Sequence, residues 1–379
     1  MSTLENNHNV YILGAGFSAD RGLPTMKDFM LTMRDAHPWL ADNGRKSEAD
    51  AIEKVLAYRL KATSAGYRVS IELENIEDLF SLAAASRDDL TKDIRNAIAA
   101  TLDYCLETKP AGNLHFGAAA DGPFRKYQTT QQVNGRTLFS APSYDYYVGS
   151  LIGMFDSGAV IGKNTFISFN YDTLVEESLL RLGVDFSYGL KSQNTIAAKS
   201  AGVLCPRDNA DIKVLKLHGS VNWARDGKSK KLRLFGSYTD VRTQNLIPEI
   251  VPPTWRKVFG EQLNDVWSEA LVALETATRI VIIGFSMPDT DLHFKYLLAA
   301  GLQDNLSLRQ IVAVDKSKDV IEQRLAKILL KSPVGFERWF VTGNSIRQFI
   351  GPYYALNNWN DGLGSYGRTV SVGGEHSES

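Results

Sequence analysis

The sequence predicts an α/β fold in which a doubly wound parallel sheet carries a large helical insertion. Short apolar runs rich in β-branched residues recur at 9–13, 165–169, 213–217, 280–284 and 311–314. Each run ends at a turn, a glycine or a polar cluster, and helical patterns lie between the runs. Buried parallel strands have this pattern because both of their faces are covered. Ligands bind at the carboxyl ends of such strands, so the residues that follow the runs are candidates for a single site.

The helical insertion explains the long interval between the first two predicted strands. About 150 residues separate them, far more than one crossover helix requires. Apolar residues repeat at three- and four-residue spacing over 47–61, 75–86 and 89–106. This spacing predicts amphipathic helices. We therefore expect a helical insertion at approximately 26–160.

Three segments lack a regular pattern. Residues 112–136 are rich in Gly, Gln, Thr and Asn and are predicted to form a long loop, and 187–209 are predicted to be irregular. The final segment, 357–379, is rich in Gly, Ser and Asn and is predicted to be a flexible tail. The remaining residues, 1–356, are expected to form one domain that includes the insertion.

Composition describes an ordinary globular protein. The 379 residues are 44% apolar and 22% charged, with a net charge of −1, which points to neither nucleic acid nor a membrane surface as the main partner. No signal-peptide pattern or membrane-length apolar run is present, so a cytoplasmic protein is expected. Cys105 and Cys205 are the two cysteines, and two thiols cannot complete a four-cysteine zinc site. No metal is expected in this chain.

The first predicted strand runs directly into a glycine turn. Gly14, Ala15, Gly16 and Ser18 belong to a G-x-G-x-x-A pattern of the kind that lets a backbone approach a pyrophosphate at a helix N-terminus. A tight strand-to-helix turn without a ligand is the alternative. Gly22-Leu23-Pro24 follows this turn.

Polar residues follow the second and third predicted strands. Asn170 has a carboxamide that can orient a substrate group or water, and Asp172 can hold that amide or stabilise positive charge. An N-cap on the next helix is the simpler explanation for Asp172. His218 follows the third strand and is the candidate general base, because its unperturbed pKa lies near neutral pH. Trp223 suits either a core position or stacking on a ring.

Two later strands end in further candidates. Gly284 and Ser286 close the strand over 280–284, and Asp315 follows 311–314, where an acidic side chain can hold ribose hydroxyls. Asp289 and Asp291 are predicted to begin the next helix as cap or first-turn acids.

This ordered set of motifs, GAGFSA, GLP, FNYD, KLHGS and GFSMP, resembles the sirtuins and, most closely, the bacterial sirtuin-like proteins of antiphage defence. The resemblance covers about residues 9–350 and implies the Rossmann-like sirtuin fold with NAD as the bound dinucleotide. It implies a role in catalysis for Asn170, His218 and Asp172, and in NAD binding for the two glycine turns. It also implies that Gly22-Leu23-Pro24 begins a flexible cofactor loop, with Pro24 at the bound NAD. The zinc module is missing, and the sirtuin Asp-Phe-Arg triplet after the first turn is replaced by residues beginning at Thr25.

The resemblance implies an NAD glycohydrolase that releases nicotinamide and ADP-ribose, and so depletes NAD in abortive infection. An NAD-dependent protein deacylase or ADP-ribosyltransferase is an alternative, and so is a non-catalytic NAD or ADP-ribose sensor. A homo-oligomer and a separately encoded helicase-type ATPase partner are also implied. The residue Asn75 begins a second family-like string, Asn75-Ile76-Glu77, which either lines the nicotinamide end or merely caps a helix.

Overall fold

A computed structural model describes most of the chain up to residue 342. The described residues are 8–66, 71–86, 90–110, 112–116, 129–133, 136–154, 162–197, 210–254, 261–287, 291–315, 318–329 and 337–342. The tail predicted over 357–379 lies outside them.

The described strands form three sheets. They are β1 (His8–Leu13), β2 (Asn113–Phe116), β3 (Thr129–Val133), β4 (Arg136–Pro142), β5 (Lys163–Ser168), β6 (Thr195–Ala197), β7 (Ile212–Lys216), β8 (Gly219–Arg225), β9 (Leu232–Leu234), β10 (Pro248–Ile250), β11 (Arg279–Ile283), β12 (Gln310–Asp315) and β13 (Glu337–Thr342).

The helices fall in the insertion and between the strands of the main sheet. They are α1 (Ala15–Ser18), α2 (Phe29–Asp42), α3 (Lys46–Gly66), α4 (Ile76–Ala85), α5 (Thr91–Thr108), α6 (Ser143–Leu151), α7 (Leu174–Arg181), α8 (Tyr238–Thr243), α9 (Glu261–Thr276), α10 (Leu292–Gln303) and α11 (Lys318–Ile328). The three helices predicted in the insertion are confirmed as α3, α4 and α5.

The main sheet is parallel and has the order β13-β12-β11-β1-β5-β7. The five predicted strands lie side by side in it, with ends shifted by one or two residues. Its centre is buried on both faces, since the β1 residues Val10 to Leu13 are at most 1% exposed. The sequence therefore predicted this layer correctly, and the predicted α/β fold class is confirmed.

The loop predicted over 112–136 is wrong in its described parts, whereas residues 117–128, 134 and 135 lie outside the described part of the chain. Strands β2 and β3 lie in this segment and pair with β4 in an antiparallel sheet of order β2-β4-β3. The sequence of β3, TTQQV, is polar and carries little hydrophobic alternation, so its pairing with β4 decides its conformation rather than an apolar pattern.

The irregular segment predicted over 187–209 is also partly wrong, because its described part ends in a strand. Ser187 bridges to Lys213, a 3₁₀ turn covers Ser192–Asn194, and β6 joins a second sheet of order β10-β8-β9-β6. Residues 198–209 lie outside the described part. A three-residue strand such as β6 is too short to show periodicity, and its neighbour β9 supplies the pairing.

Candidate active site

The site residues follow the carboxyl ends of four adjacent strands, β11, β1, β5 and β7. Backbone hydrogen bonds continue one residue beyond each strand. Gly14 N donates to Ile283 O at 3.1 Å, and Phe169 N donates to Leu13 O at 3.0 Å. Leu217 N likewise donates to Ser168 O at 3.0 Å. These bonds hold the residues after the strands in fixed positions relative to one another.

The two glycine turns pack directly against each other. A Cβ added at Gly14 would lie 2.6 Å from Gly284 O, and one added at Gly16 would lie 2.7 Å from Gly284 Cα. Gly284 itself has a φ of +60° and faces the backbone of Gly16 and Phe17. The contacted atoms are backbone atoms and Phe285 Cβ, which is fixed to the backbone, so rotation of a side chain cannot make room. The glycines are therefore required for the close contact between these turns.

The amide groups of the first turn are mostly used within the protein, which corrects the expectation that they are free for a diphosphate. Gly16 N donates to Gly284 O at 2.8 Å, and Phe17 N donates to Gly14 O at 2.9 Å. Helix α1 has only four residues before a 3₁₀ turn over Ala19–Arg21, so its dipole is small. The sequence pattern predicted the turn correctly. However, the backbone oxygens of Gly284 and Gly14 accept two of the hydrogen bonds that the turn was expected to donate to a ligand.

A hydrogen-bonded chain joins Asn170, Ser18 and Asp172. Asn170 Nδ2 donates to Gly14 O at 2.8 Å and to Ser18 Oγ at 3.0 Å. Ser18 Oγ donates its single proton to Asp172 Oδ2 at 2.7 Å, so it accepts from Asn170. This chain brings together three of the residues predicted from sequence and fixes the orientation of the Asn170 amide.

The carbonyl oxygen of the Asn170 side chain is left for other partners. Within the described part of the chain, no donor is bonded to Asn170 Oδ1, and the residue is half-buried. An oriented amide oxygen in a partly buried position can accept from a water molecule or face a developing positive charge.

Asp172 is bonded both to the start of α7 and to Ser18. Its Oδ1 accepts from Leu174 N at 3.2 Å, although Thr173, and not Asp172, occupies the N-cap position of α7. Its Oδ2 accepts from Ser18. The carboxylate is buried, and together with burial it raises the pKa of the nearby Tyr144 hydroxyl. Tyr144 in turn donates to Phe17 O at 2.6 Å, which ties α6 to the glycine turn.

His218 lies beside the residues that flank Asn170. The centroid of its ring is 5.2 Å from that of Phe169 and 6.4 Å from that of Tyr171. Its side chain is buried, at 6% exposure, and its carbonyl accepts from Val251 N at 2.8 Å. Gly219 follows with a φ of +79° and faces Glu249 O, so the turn after His218 requires glycine. The predicted base thus lies against the two residues that flank Asn170 in the sequence.

Three phenylalanines that the sequence reasoning did not single out form a cluster, and one of them, Phe169, contacts His218. Phe169 stacks on Phe285 at a centroid distance of 4.4 Å, and Phe294 meets both rings edge-on. Phe169 and Phe285 lie inside the FNYD and GFSMP motifs, so their place after strand ends was a usable signal. The cluster gives His218 an apolar neighbour on the side of Phe169.

The other predicted binding residues lie along the same edge but are not drawn into the Asn170 chain. Ser286 is exposed, and its carbonyl accepts from Arg324. Asp315 is half-buried at the end of β12, one strand beyond β11. Pro24 is buried. Asp291 caps α10 by accepting from Phe294 N at 3.2 Å, as predicted, whereas Asp289 lies outside the described residues.

The string that begins at Asn75 places a carboxylate near the site. Asn75 caps α4 by accepting from Glu77 N at 2.9 Å, which confirms the capping interpretation. Burial, followed by the negative charge of Glu77, raises the pKa of the Tyr171 hydroxyl. That hydroxyl donates to Val251 O at 2.7 Å. Helix α4 therefore begins close to the Tyr171 side of His218.

Other residues considered at the sequence level are structural. Trp223 is fully buried and meets Tyr188 edge-on at 4.9 Å, which makes it a core residue. Cys105 is a buried free thiol whose pKa is raised by burial. Among the described residues, no group of three or more His, Cys, Asp or Glu side chains is arranged to hold a metal. None of the described helices has the length and apolarity that a bilayer span requires.

Part of this chain is similar to a known protein family. A family model described as the SIR2-like domain matches residues 164–333. The matched segment contains Asn170, Asp172, His218 and the second glycine turn, whereas the first glycine turn precedes it. A search of curated proteins finds no match to this chain.

Several solved Sir2 structures are similar to this chain. A Sir2 enzyme studied for its mechanism and regulation is 12% identical, covers 93% of this chain and 94% of its own, and gives a TM-score of 0.39. Sir2Tm bound to a propionylated peptide is also 12% identical, covers 92% and 93%, and gives 0.36. A mutant Sir2 homologue in complex with ADP-ribose is 15% identical, covers 86% and 94%, and gives 0.33.

Proposed function

We propose that this protein binds NAD and hydrolyses the bond between nicotinamide and ribose. The observation that carries the proposal is the Asn170 amide, oriented by Ser18 and Asp172 and flanked by residues that contact His218. The match to the SIR2-like domain supports NAD as the ligand. The resemblance of the motifs GAGFSA and KLHGS to those of sirtuin-like proteins supports the same chemistry.

The reaction needs little covalent help from the protein, because the leaving group is already a pyridinium. The electrons of the bond between C1′ and the ring nitrogen leave with nicotinamide, which becomes neutral, and positive charge develops on the ribose. Water attacks C1′ and loses one proton, so NAD and water give nicotinamide, ADP-ribose and a proton. A preoriented dipole that faces the developing charge is the main contribution expected of such a site.

Asn170 and His218 divide this work in our proposal. The Asn170 Oδ1 atom faces the positive ribose or orients the attacking water, and His218 accepts the proton as general base. The phenylalanines beside His218 limit access of bulk water to that side of the site. Asp172 acts through Ser18 and keeps the amide of Asn170 in place.

The glycine turns hold the phosphates in this proposal through their shape. Gly14 and Gly16 keep side chains away from the edge of the sheet, while their own amides support the turn rather than the ligand. Asp315 and Ser286, further along the same edge, are proposed to lie at the adenosine ribose.

The experiment that tests the proposal is product analysis with purified protein. We expect nicotinamide and ADP-ribose in equal amounts from NAD alone, without a peptide. Nicotinamide release that requires an acylated peptide and yields an O-acyl product would instead establish the deacylase. Binding of NAD with no turnover under any condition would establish a sensor.

We further propose that such an activity serves antiphage defence by depleting NAD, with control by assembly. The similarity of the motifs to defence proteins supports this cellular role, and an unrestrained NAD hydrolase would harm its own cell. A homo-oligomer, alone or with a helicase-type ATPase, is the proposed active form. Light scattering together with NAD turnover, measured with and without the product of the adjacent gene, tests this; full activity as a monomer would refute it.

A further inference from the structure

A buried lysine lies directly beneath the candidate site. Lys216 is the last residue of β7, two positions before His218, and its side chain is 1% exposed. Its backbone pairs with Ser168 at the end of β5. Lysine is almost never buried to this extent unless it is paired.

The ammonium group of Lys216 joins three parts of the fold. Lys216 Nζ donates a hydrogen bond to the backbone oxygen of Asp172 and lies 3.4 Å from Oε1 of Glu176, whose side chain is also 1% exposed. Glu176 is in the first turn of α7. One side chain therefore connects the strand that leads to His218 with the segment that carries Asn170 and Asp172.

Stability alone does not account for this pair. Removing two charges from water is costly, and apolar residues of similar size often stabilise a fold as well or better. Burial raises the pKa of Glu176, and the positive charge of Lys216 lowers it, so each charge depends on the other. What an apolar pair could not supply is the hydrogen bond to the Asp172 carbonyl.

We infer that Lys216 and Glu176 are a positioning pair that holds the chain of Asn170, Ser18 and Asp172 in register with His218. The hydrogen bond from Lys216 fixes the backbone at Asp172. Because His218 is only two residues after Lys216 in the sequence, the same lysine also fixes the backbone that carries His218. Neither side chain contacts the reacting atoms. The effect expected on kcat rests on the proposed NAD hydrolysis. The effect expected on the backbone at Asp172 does not.

The test uses variants that remove the charges together. A single substitution leaves one uncompensated buried charge, so the informative protein is Lys216→Met with Glu176→Gln, which keeps the volume and removes both charges. The matched control is Lys213→Met with Glu269→Gln, an ion pair whose lysine lies towards the opposite end of β7 and whose glutamate lies on α9. A second variant, Lys216→Arg, keeps the charge and moves the donor.

We expect the charge-free variant, Lys216→Met with Glu176→Gln, to fold. Its kcat for NAD should fall at least tenfold while its KM changes less than twofold. Amide hydrogen exchange should accelerate over residues 169–174 and stay unchanged over 279–283. The control double variant should have the kcat and the exchange rates of the wild-type protein. Lys216→Arg should have a lower kcat and remain folded.

Wild-type kcat and wild-type exchange in the charge-free variant would overturn the inference, as would wild-type kcat in Lys216→Arg. The exchange measurement separates this inference from the proposed function. If the wild-type protein released no nicotinamide and only the charge-free variant exchanged faster over 169–174, the proposed function would fall and the positioning role would stand.

Discussion

The side-chain nitrogen of Asn170 donates to the hydroxyl oxygen of Ser18 at 3.0 Å, across 152 residues of sequence. Ser18 belongs to the turn after β1, and Asn170 follows β5, the adjacent strand. This bond shows that the first glycine turn supports the candidate catalytic amide, in addition to any contact with a ligand. The turn and the amide are thus parts of one arrangement.

Replacing Ser18 with alanine should impair catalysis through Asn170. The substitution removes one of the two acceptors of the Asn170 amide and the donor to Asp172, so the amide is held only by its bond to Gly14 O. We expect kcat for nicotinamide release to fall about 10- to 100-fold, as small misplacements of reacting groups do. The control is Thr101→Val, which removes a fully buried hydroxyl bonded within α5 at 2.7 Å. Equal kcat in the two variants would contradict the role of Ser18.

Replacing His218 with alanine should abolish turnover while NAD remains bound. Loss of a general base typically costs about 10²- to 10⁴-fold in rate. His8→Gln is the matched control, because His8 is a buried histidine at the opposite end of the same sheet, where its ring bonds to Thr276 and Thr165. Steady-state rates and isothermal titration with NAD measure the two effects. A folded His218→Ala protein with wild-type kcat would remove this residue from the mechanism.

Gly16→Ala should destabilise the protein and weaken NAD binding together. The new Cβ would lie 2.7 Å from Gly284 Cα, and overpacking of this kind costs about 1–3 kcal/mol. Both glycine turns must separate to admit it, which displaces the proposed phosphate site. Gly227→Ala is the control, since a Cβ there meets nothing within 4 Å. Urea unfolding measures the stability, and titration with NAD measures the affinity. If Gly16→Ala had the same stability and the same affinity for NAD as Gly227→Ala, the close contact between the two glycine turns would be unimportant for both.

The stability of the protein should fall in mild acid because of His8. Burial, followed by the positive charges of Lys163 and Lys213, lowers the pKa of His8 from 6.5 to about 4. Between these pH values the unfolded chain binds a proton that the folded protein does not, so stability is lost as the pH falls from 6.5 towards 4. The contribution is about 3 kcal/mol at 1.36 kcal/mol per pKa unit.

The measurement for His8 is the free energy of unfolding at pH 7 and pH 4, in the wild-type protein and in His8→Gln. Because glutamine does not titrate, the decrease on acidification should be smaller in the variant by about 3 kcal/mol. An equal decrease in both proteins would show that His8 is not held neutral in the fold.

The sequence predicted the main sheet because its strands are buried on both faces and appear as continuous apolar runs. The strands that it missed include β2, β3 and β6, which are short, and β3 is polar as well, so pairing with neighbouring strands determines them. It placed Asn170, Asp172 and His218 at strand ends correctly. It could not show that the Gly16 amide donates its hydrogen bond to Gly284 O, because that contact depends on three-dimensional packing.

The second feature that the sequence could not reveal is the pairing of Lys216 with Glu176. Lys216 stands within the KLHGS motif, but its pattern does not distinguish a buried lysine from a solvated one. The partner is 40 residues away on α7, and only the fold brings them together. Buried charge at a site is therefore the kind of feature for which the structure was needed.

The most direct test of the account is the rate of nicotinamide release from NAD by the wild-type protein and by Asn170→Ala, with Asn9→Ala as control. Asn9 also has a paired amide, bonded to Asn164 at 3.1 Å, but lies at the amino-terminal end of β1. We predict nicotinamide release by the wild-type protein and by Asn9→Ala, and a loss of at least about 100-fold in Asn170→Ala with its fold retained. Wild-type turnover by a folded Asn170→Ala protein would contradict the account.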